Sequence, residues 1–89
     1  MSFKDDLEKK CIASVKLAFD FFEGIKYSST KGVIEKQLIR SLSSVGANLV
    51  EGGGGASRKD WLNYMNISRK SALESEHWVK VLKEINMGG

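Results

Sequence analysis

Apolar residues recur along this chain in three blocks of helical spacing, separated by a short polar break and a run of glycines. In the first block Leu7, Cys11, Val15, Ala18 and Phe22 fall four or three residues apart, which gathers them on one face of a helix. Phe19 and Phe21 widen that face towards its end. Asp5 and Asp6 suit the positive end of a helix dipole, and Gly24 offers a stop before the polar loop KYSSTKG. The spacing predicts a helix over about 5–23.

The second block is predicted as a helix over about 30–51, starting near Ser29 or Thr30 and carrying two chemically different faces. Ile34, Leu38, Leu42, Val45 and Leu49 form an apolar stripe, while Gln37, Ser41, Ser44 and Asn48 form a small, polar one. The apolar face suits a bundle core. The small face lets another helix approach closely, with Gln37 and Asn48 able to hydrogen-bond across it. Gly46 lies inside this helix and disfavours it by up to about 1 kcal/mol relative to alanine. Two readings fit: a close crossing by another backbone, or a tolerated weak point.

Four glycines, Gly52 to Gly55, end the second block. A third helix is predicted over about 57–86, with Ser57 as N-cap and Asp60 three residues on. Two stripes run along it. Trp61, Met65, Ser68, Ala72, Ser75, Val79 and Leu82 make one; Tyr64, Ile67, Ser71, Glu74, Trp78, Val81 and Ile85 make the other. Two adjacent stripes form a broader contact arc than a helix with one neighbour needs. Self-association is therefore expected, because exposed faces of this kind usually mark interfaces.

Composition narrows the picture without overturning it. The 89 residues suit a single helical domain, 1–89, near the size where one core gives marginal stability. Proline is absent, so nothing of that kind interrupts the helices. The net charge of +3 is too mild to declare a nucleic-acid footprint alone. One cysteine, Cys11, excludes an internal disulfide, and no apolar run reaches the roughly 20 residues of a membrane span. The N-terminus, MSFKDDLEKK, lacks a signal-peptide core. A cytoplasmic location and no membrane association are the expectation.

The motifs bear comparison with a family. The stretch from Gln37 to Gly52 resembles the second helix of bacterial four-helix bundle proteins of the large-subunit ribosomal RNA intervening-sequence family, whose pattern reads Q-L-x-R-A-x-x-S-x-x-x-N-I-A-E-G. Gln37, Leu38, Arg40, Ser44, Asn48, Glu51 and Gly52 match it, with Leu49 and Val50 in place of Ile-Ala. The family's third helix places basic and acidic residues and an aromatic before I-A-x-G-S-x-x-E, and Lys59-Asp60-Trp61, Ile67, Ser71 and Glu74 take those positions. The resemblance spans roughly residues 7 to 87. Gly46 stands where the family has proline, and Lys70 where it has glycine. The pattern's fourth helix finds no counterpart before Asn86-Met87-Gly88-Gly89, which would leave one groove of the bundle uncovered. The resemblance implies an all-α, antiparallel up-and-down bundle, often a homopentamer, with no established enzymatic activity. A similar fold is implied for the accessory variability protein of diversity-generating retroelements, which binds reverse transcriptase and nucleic acid.

Few residues bear candidate chemistry. The glycine run lacks the strand and the G-K-[ST] ending of a phosphate loop, so a helix connector is the better reading. Arg40 and Glu74 are expected to pair across the second and third helices, with Gln37, Ser44, Asn48 and Ser71 completing a buried polar seam, since a buried charge must be paired. Glu51 closes the second helix where the dipole disfavours an anion, so an offsetting cation is expected, for instance from a neighbouring chain. His77 with Glu74 offers only two metal ligands, too few for a site. Cys11 reads as an inert thiol on an apolar face. Arg58, Lys59, Lys70 and Lys80 are the candidate nucleic-acid contacts. No catalytic group, metal or cofactor is expected. The sequence favours a non-enzymatic, self-assembling basic scaffold for RNA or DNA. The alternative is an adaptor that offers an apolar groove to a partner protein.

Overall fold

The computed structural model describes residues 3–26, 28–54 and 57–87, with the side chains of Asn86 and Met87 left aside. Helices account for nearly all of them: α1 (Phe3–Glu23), α2 (Ser29–Gly53) and α3 (Arg58–Met87). The fold is all-α, as the periodicity predicts, with ends that differ by one or two residues. Ser28 caps α2, its side chain accepting a hydrogen bond from the Lys31 amide. Ser57 does the same for α3 through the Asp60 amide at 3.1 Å. Both hydroxyls satisfy amides that the first turn of a helix leaves without partners.

The glycine run is the first departure from expectation. Gly52 and Gly53 continue α2, and its C-cap is Gly54, whose amide approaches the carbonyls of Val50, Glu51 and Gly52. No glycine among the described residues has a positive φ, so a left-handed turn is not why glycine stands here. Gly55 and Ala56 lie outside the described residues. Among the described glycines of the run, only Gly54 lies beyond the helix.

The three helices run antiparallel in chain order. Cys11 lies against Gly46 and Lys4 over Gly53, while Ser44 meets Ser71 and Ser41 meets Ser75. Both α1 and α3 pack on α2, but no Cα of α1 comes within 8 Å of one in α3. The section is therefore an open wedge with α2 at the vertex. Side chains from all three helices gather at one end, where Phe22, Ile34, Leu38 and Leu82 are buried and Ile25, Trp78 and Val81 pack around them. The Cα extents are 48 × 24 × 17 Å, and α3, at about 1.5 Å per residue, spans the long axis alone.

The two apolar stripes of α3 are not buried as units. The buried line runs along their boundary, through Ser68, Ser71, Ser75 and Leu82, while Trp61, Ile67, Leu73 and Val79 on either side stay exposed. The reason is topological: along most of its length α3 has one close neighbour, α2, with α1 reached only by side chains at one end, and a single helix covers only a narrow arc. Phe19 and Phe21 of α1 are exposed likewise.

Candidate functional site

A seam of hydroxyl groups joins α2 and α3 and holds Ser41, the most deeply buried side chain among the described residues. Ser41 is fully buried and its hydroxyl lies 2.7 Å from that of Ser75. One turn along, Ser44 and Ser71 approach to 2.9 Å, and Ser68 donates to the Val45 carbonyl at 2.9 Å. Asn48 donates to the Ser44 carbonyl and hydroxyl at 2.8 and 3.0 Å. Ser41 and Ser75 also reach the carbonyls of Leu38 and Ser71, one turn back. No buried side-chain polar atom among the described residues lacks a partner. Serines serve here because their small side chains let two backbones come close and their hydroxyls satisfy one another, so burial carries little desolvation penalty.

The charged pair expected inside this seam lies at its margin. Arg40 Nη2 contacts Glu74 Oε2, Arg40 Nε donates to Gln37 at 3.1 Å, and Trp78 Nε1 donates to the same Glu74 oxygen at 2.9 Å. The Arg40 side chain is 55% exposed and that of Glu74 35%. Water therefore screens the pair, and the large penalty for stranding a buried charge does not apply. Glu74→Ala is expected to lower stability by only about 1 kcal/mol or less, with the difference shrinking at high salt. Urea denaturation at two salt concentrations tests this. Ser41, Ser68 and Ser75 complete the seam instead. Their signal in the sequence was a serine every third or fourth residue between apolar neighbours.

Glycines set the two helix crossings. A Cβ on Gly52 would lie 2.7 Å from Met65 Cε and 3.0 Å from Tyr64 Cβ, so the start of α3 rests directly on the α2 backbone. A Cβ on Gly46 would lie 3.1 Å from Cys11 Cβ, which decides for the close crossing over the weak point. At the C-terminus of α2, Lys4 lies over Gly53 and brings a cation of the same chain to the negative end of the dipole.

These contacts give physical meaning to a pattern that is also a family signature. The family model of the 23S rRNA-intervening sequence protein matches residues 7–88. The chain belongs to that family. Comparison with curated proteins and with solved structures found no match. Within the family motif, Ser44 and Asn48 build the seam, Gly52 admits α3, and Arg40 and Glu74 close the edge. Lys70 is exposed, so a lysine there loosens no contact with α2.

The remaining candidates are dispersed. Arg58, Lys59, Lys70 and Lys80 are all exposed on α3, and Lys80 pairs with Glu76 at 3.0 Å. His77 is exposed and stacks edge-on with Trp78. The described residues hold no group of three His, Cys, Asp or Glu side chains suited to a metal ion. Burial, reinforced by Glu8, pushes the Cys11 thiol up from its ordinary pKa, which keeps it protonated and unreactive. No helix among the described residues is long and apolar enough to cross a membrane.

Proposed function

We propose that this family member is a non-enzymatic, cytoplasmic scaffold that self-assembles through its helices and binds RNA or DNA along the outside of α3. The observation that carries the reading is the exposure of α3. Its backbone approaches that of α2 alone and it meets α1 only through side chains at one end, so Trp61, Ile67, Leu73 and Val79 stay in water on its flanks. Lys59 and Lys70 stand on its outer side with no ion pair among the described residues. Association of copies would cover part of the apolar surface. It would also multiply a net charge of +3 per chain into a field able to attract a phosphate backbone.

Binding of a fluorescent single-stranded RNA and of duplex DNA, titrated across salt concentrations, tests the nucleic-acid half of this reading. Affinity is expected to fall linearly in log–log form with salt. The double substitution Lys59→Ala and Lys70→Ala is expected to flatten that slope by about 1 to 2. Binding that ignores salt, or a slope that ignores both lysines, would remove the basic face from the proposal. Light scattering tests the assembly half, with a particle at the 9.9 kDa monomer mass as the opposing result.

A further inference from the structure

An open apolar groove of about 660 Å³ lies between α1 and α2, and a second concavity of about 610 Å³, lined by Phe19, Val33, Ile39 and Arg40, lies beyond Phe19. Ile12, Val15 and Phe19 form one wall of the first and Val50 part of the other, with Gly46 and Ala47 on the α2 side. Ile12 is 62% exposed, although isoleucine is normally an interior residue. Charge is distributed unevenly along the groove. Glu8 and Glu51 lie at one end, because α1 and α2 are antiparallel, and Lys16 lies towards the other. No ion pair among the described residues includes Glu8 or Glu51.

A surface with the reverse pattern exists on the same chain. Arg69, Leu73 and Glu76 are four and three residues apart on α3, so they share one face. All three are exposed, Leu73 at 55%. Arg69 makes a hydrogen bond to Asn66 but no ion pair among the described residues. Arg69 and Leu73 read positive then apolar along the stripe, where Glu8, Glu51 and Ile12 read negative then apolar along the groove. At the other end of each, Glu76 already pairs with Lys80 and Lys16 with Asp20. The spacing agrees too. Leu73 to Arg69 and Ile12 to Glu8 are both four-residue steps, about 6 Å along a helix.

We infer that the occupant of the α1–α2 groove is α3 of a second copy of this chain, docked with Leu73 beside Ile12 and Gly46. Arg69 then reaches Glu8 and Glu51, and the contact gains its ion pairs at that end of the groove. Two grooves facing one another would enclose empty space, whereas the convex ridge of a helix fills a groove. Groove and stripe share no residue, so the contact is heterologous, and each copy keeps one free groove or stripe until a ring or chain forms. Lys59 and Lys70 are turned away from the docking stripe by roughly 40 to 60° around α3 and stay available. The inference rests on the self-assembly reading and names its surfaces.

Sedimentation velocity of two variants, alone and mixed, tests it. Ile12→Glu places a charge in the groove and keeps the stripe; Leu73→Glu does the opposite. Both positions are exposed, so each variant should keep the wild-type helical circular dichroism spectrum. Wild type is expected to assemble and each variant alone to sediment as a 9.9 kDa monomer. An equimolar mixture is expected to give a dimer and nothing larger, because one good groove meets one good stripe. If wild type assembles and the single variants assemble equally well, the interface lies elsewhere and only this inference fails. Monomeric variants that ignore each other when mixed would show that groove and stripe are not mutual partners. A monomeric wild type would overturn both the inference and the self-assembly reading.

Discussion

Gly52→Ala is expected to destabilise the protein by about 1 to 3 kcal/mol, although alanine is the better helix former by up to about 1 kcal/mol. The added Cβ meets Met65 Cε at 2.7 Å and Tyr64 Cβ at 3.0 Å. The methionine tip can rotate away. The tyrosine Cβ is bound to the backbone of α3, so relief requires that helix to shift, and the hydroxyl seam further along depends on its position. Gly46→Ala provides the contrast. Its Cβ meets only Cys11 Cβ at 3.1 Å and the sulfur at 3.9 Å, and no Cα of α3 lies within 8 Å of α1 to hold it in place. A shift of a few tenths of an ångström suffices there, so the gain in helix propensity should nearly offset the crowding. Urea midpoints of the two variants at one protein concentration decide the matter. A Gly52→Ala protein as stable as wild type would mean that the α2–α3 crossing is looser than the distances show.

Ser41→Leu is expected to have the larger effect, a loss of about 3 kcal/mol or more, because it combines overpacking with the loss of a partner for a buried hydroxyl. Ser41 is fully buried against Ser75 with the hydroxyls 2.7 Å apart, and no space exists there for a branched side chain. Removing both hydroxyls is a different experiment. In the double variant Ser41→Ala and Ser75→Ala the backbones can stay close, no buried donor is stranded, and a change within about 1 kcal/mol is expected. Thermal melts of the two variants therefore separate closeness from hydrogen bonding as the source of the seam's stability. If Ser41→Leu melts with wild type, the seam is not a tight contact.

Helical periodicity made most of the architecture legible. Leu7, Cys11, Val15, Ala18 and Phe22 share a face in any helix, and that face is the one α1 turns to its neighbour. The cap at Ser57 is legible because a serine before an amphipathic run has a specific hydrogen bond to make; Ser28 is not singled out by the sequence, whose spacing places the start of α2 near Ser29 or Thr30. The site was less legible. Arg40 and Glu74 can be paired from sequence, but their exposure depends on where α2 ends sideways, and no one-dimensional pattern contains that. The glycine run misled for a related reason. Glycine favours turns, and only the presence of Tyr64 and Met65 over Gly52 shows that space, not backbone conformation, requires it there.

The amino-acid sequence by itself determined three helices, their antiparallel order, the small-residue face of α2 and membership of the ribosomal intervening-sequence family. These depend on local spacing, on short connections and on a motif, all of which are written along the chain. The tertiary structure alone decided that the backbones of α1 and α3 stand apart on either side of α2, that serines rather than the large apolar residues line much of the buried α2–α3 contact, and that an apolar groove remains open beside Gly46. Those outcomes depend on how close two backbones can come and on which faces a third helix can reach. Both are properties of assembled helices, set by side-chain volume at particular crossings.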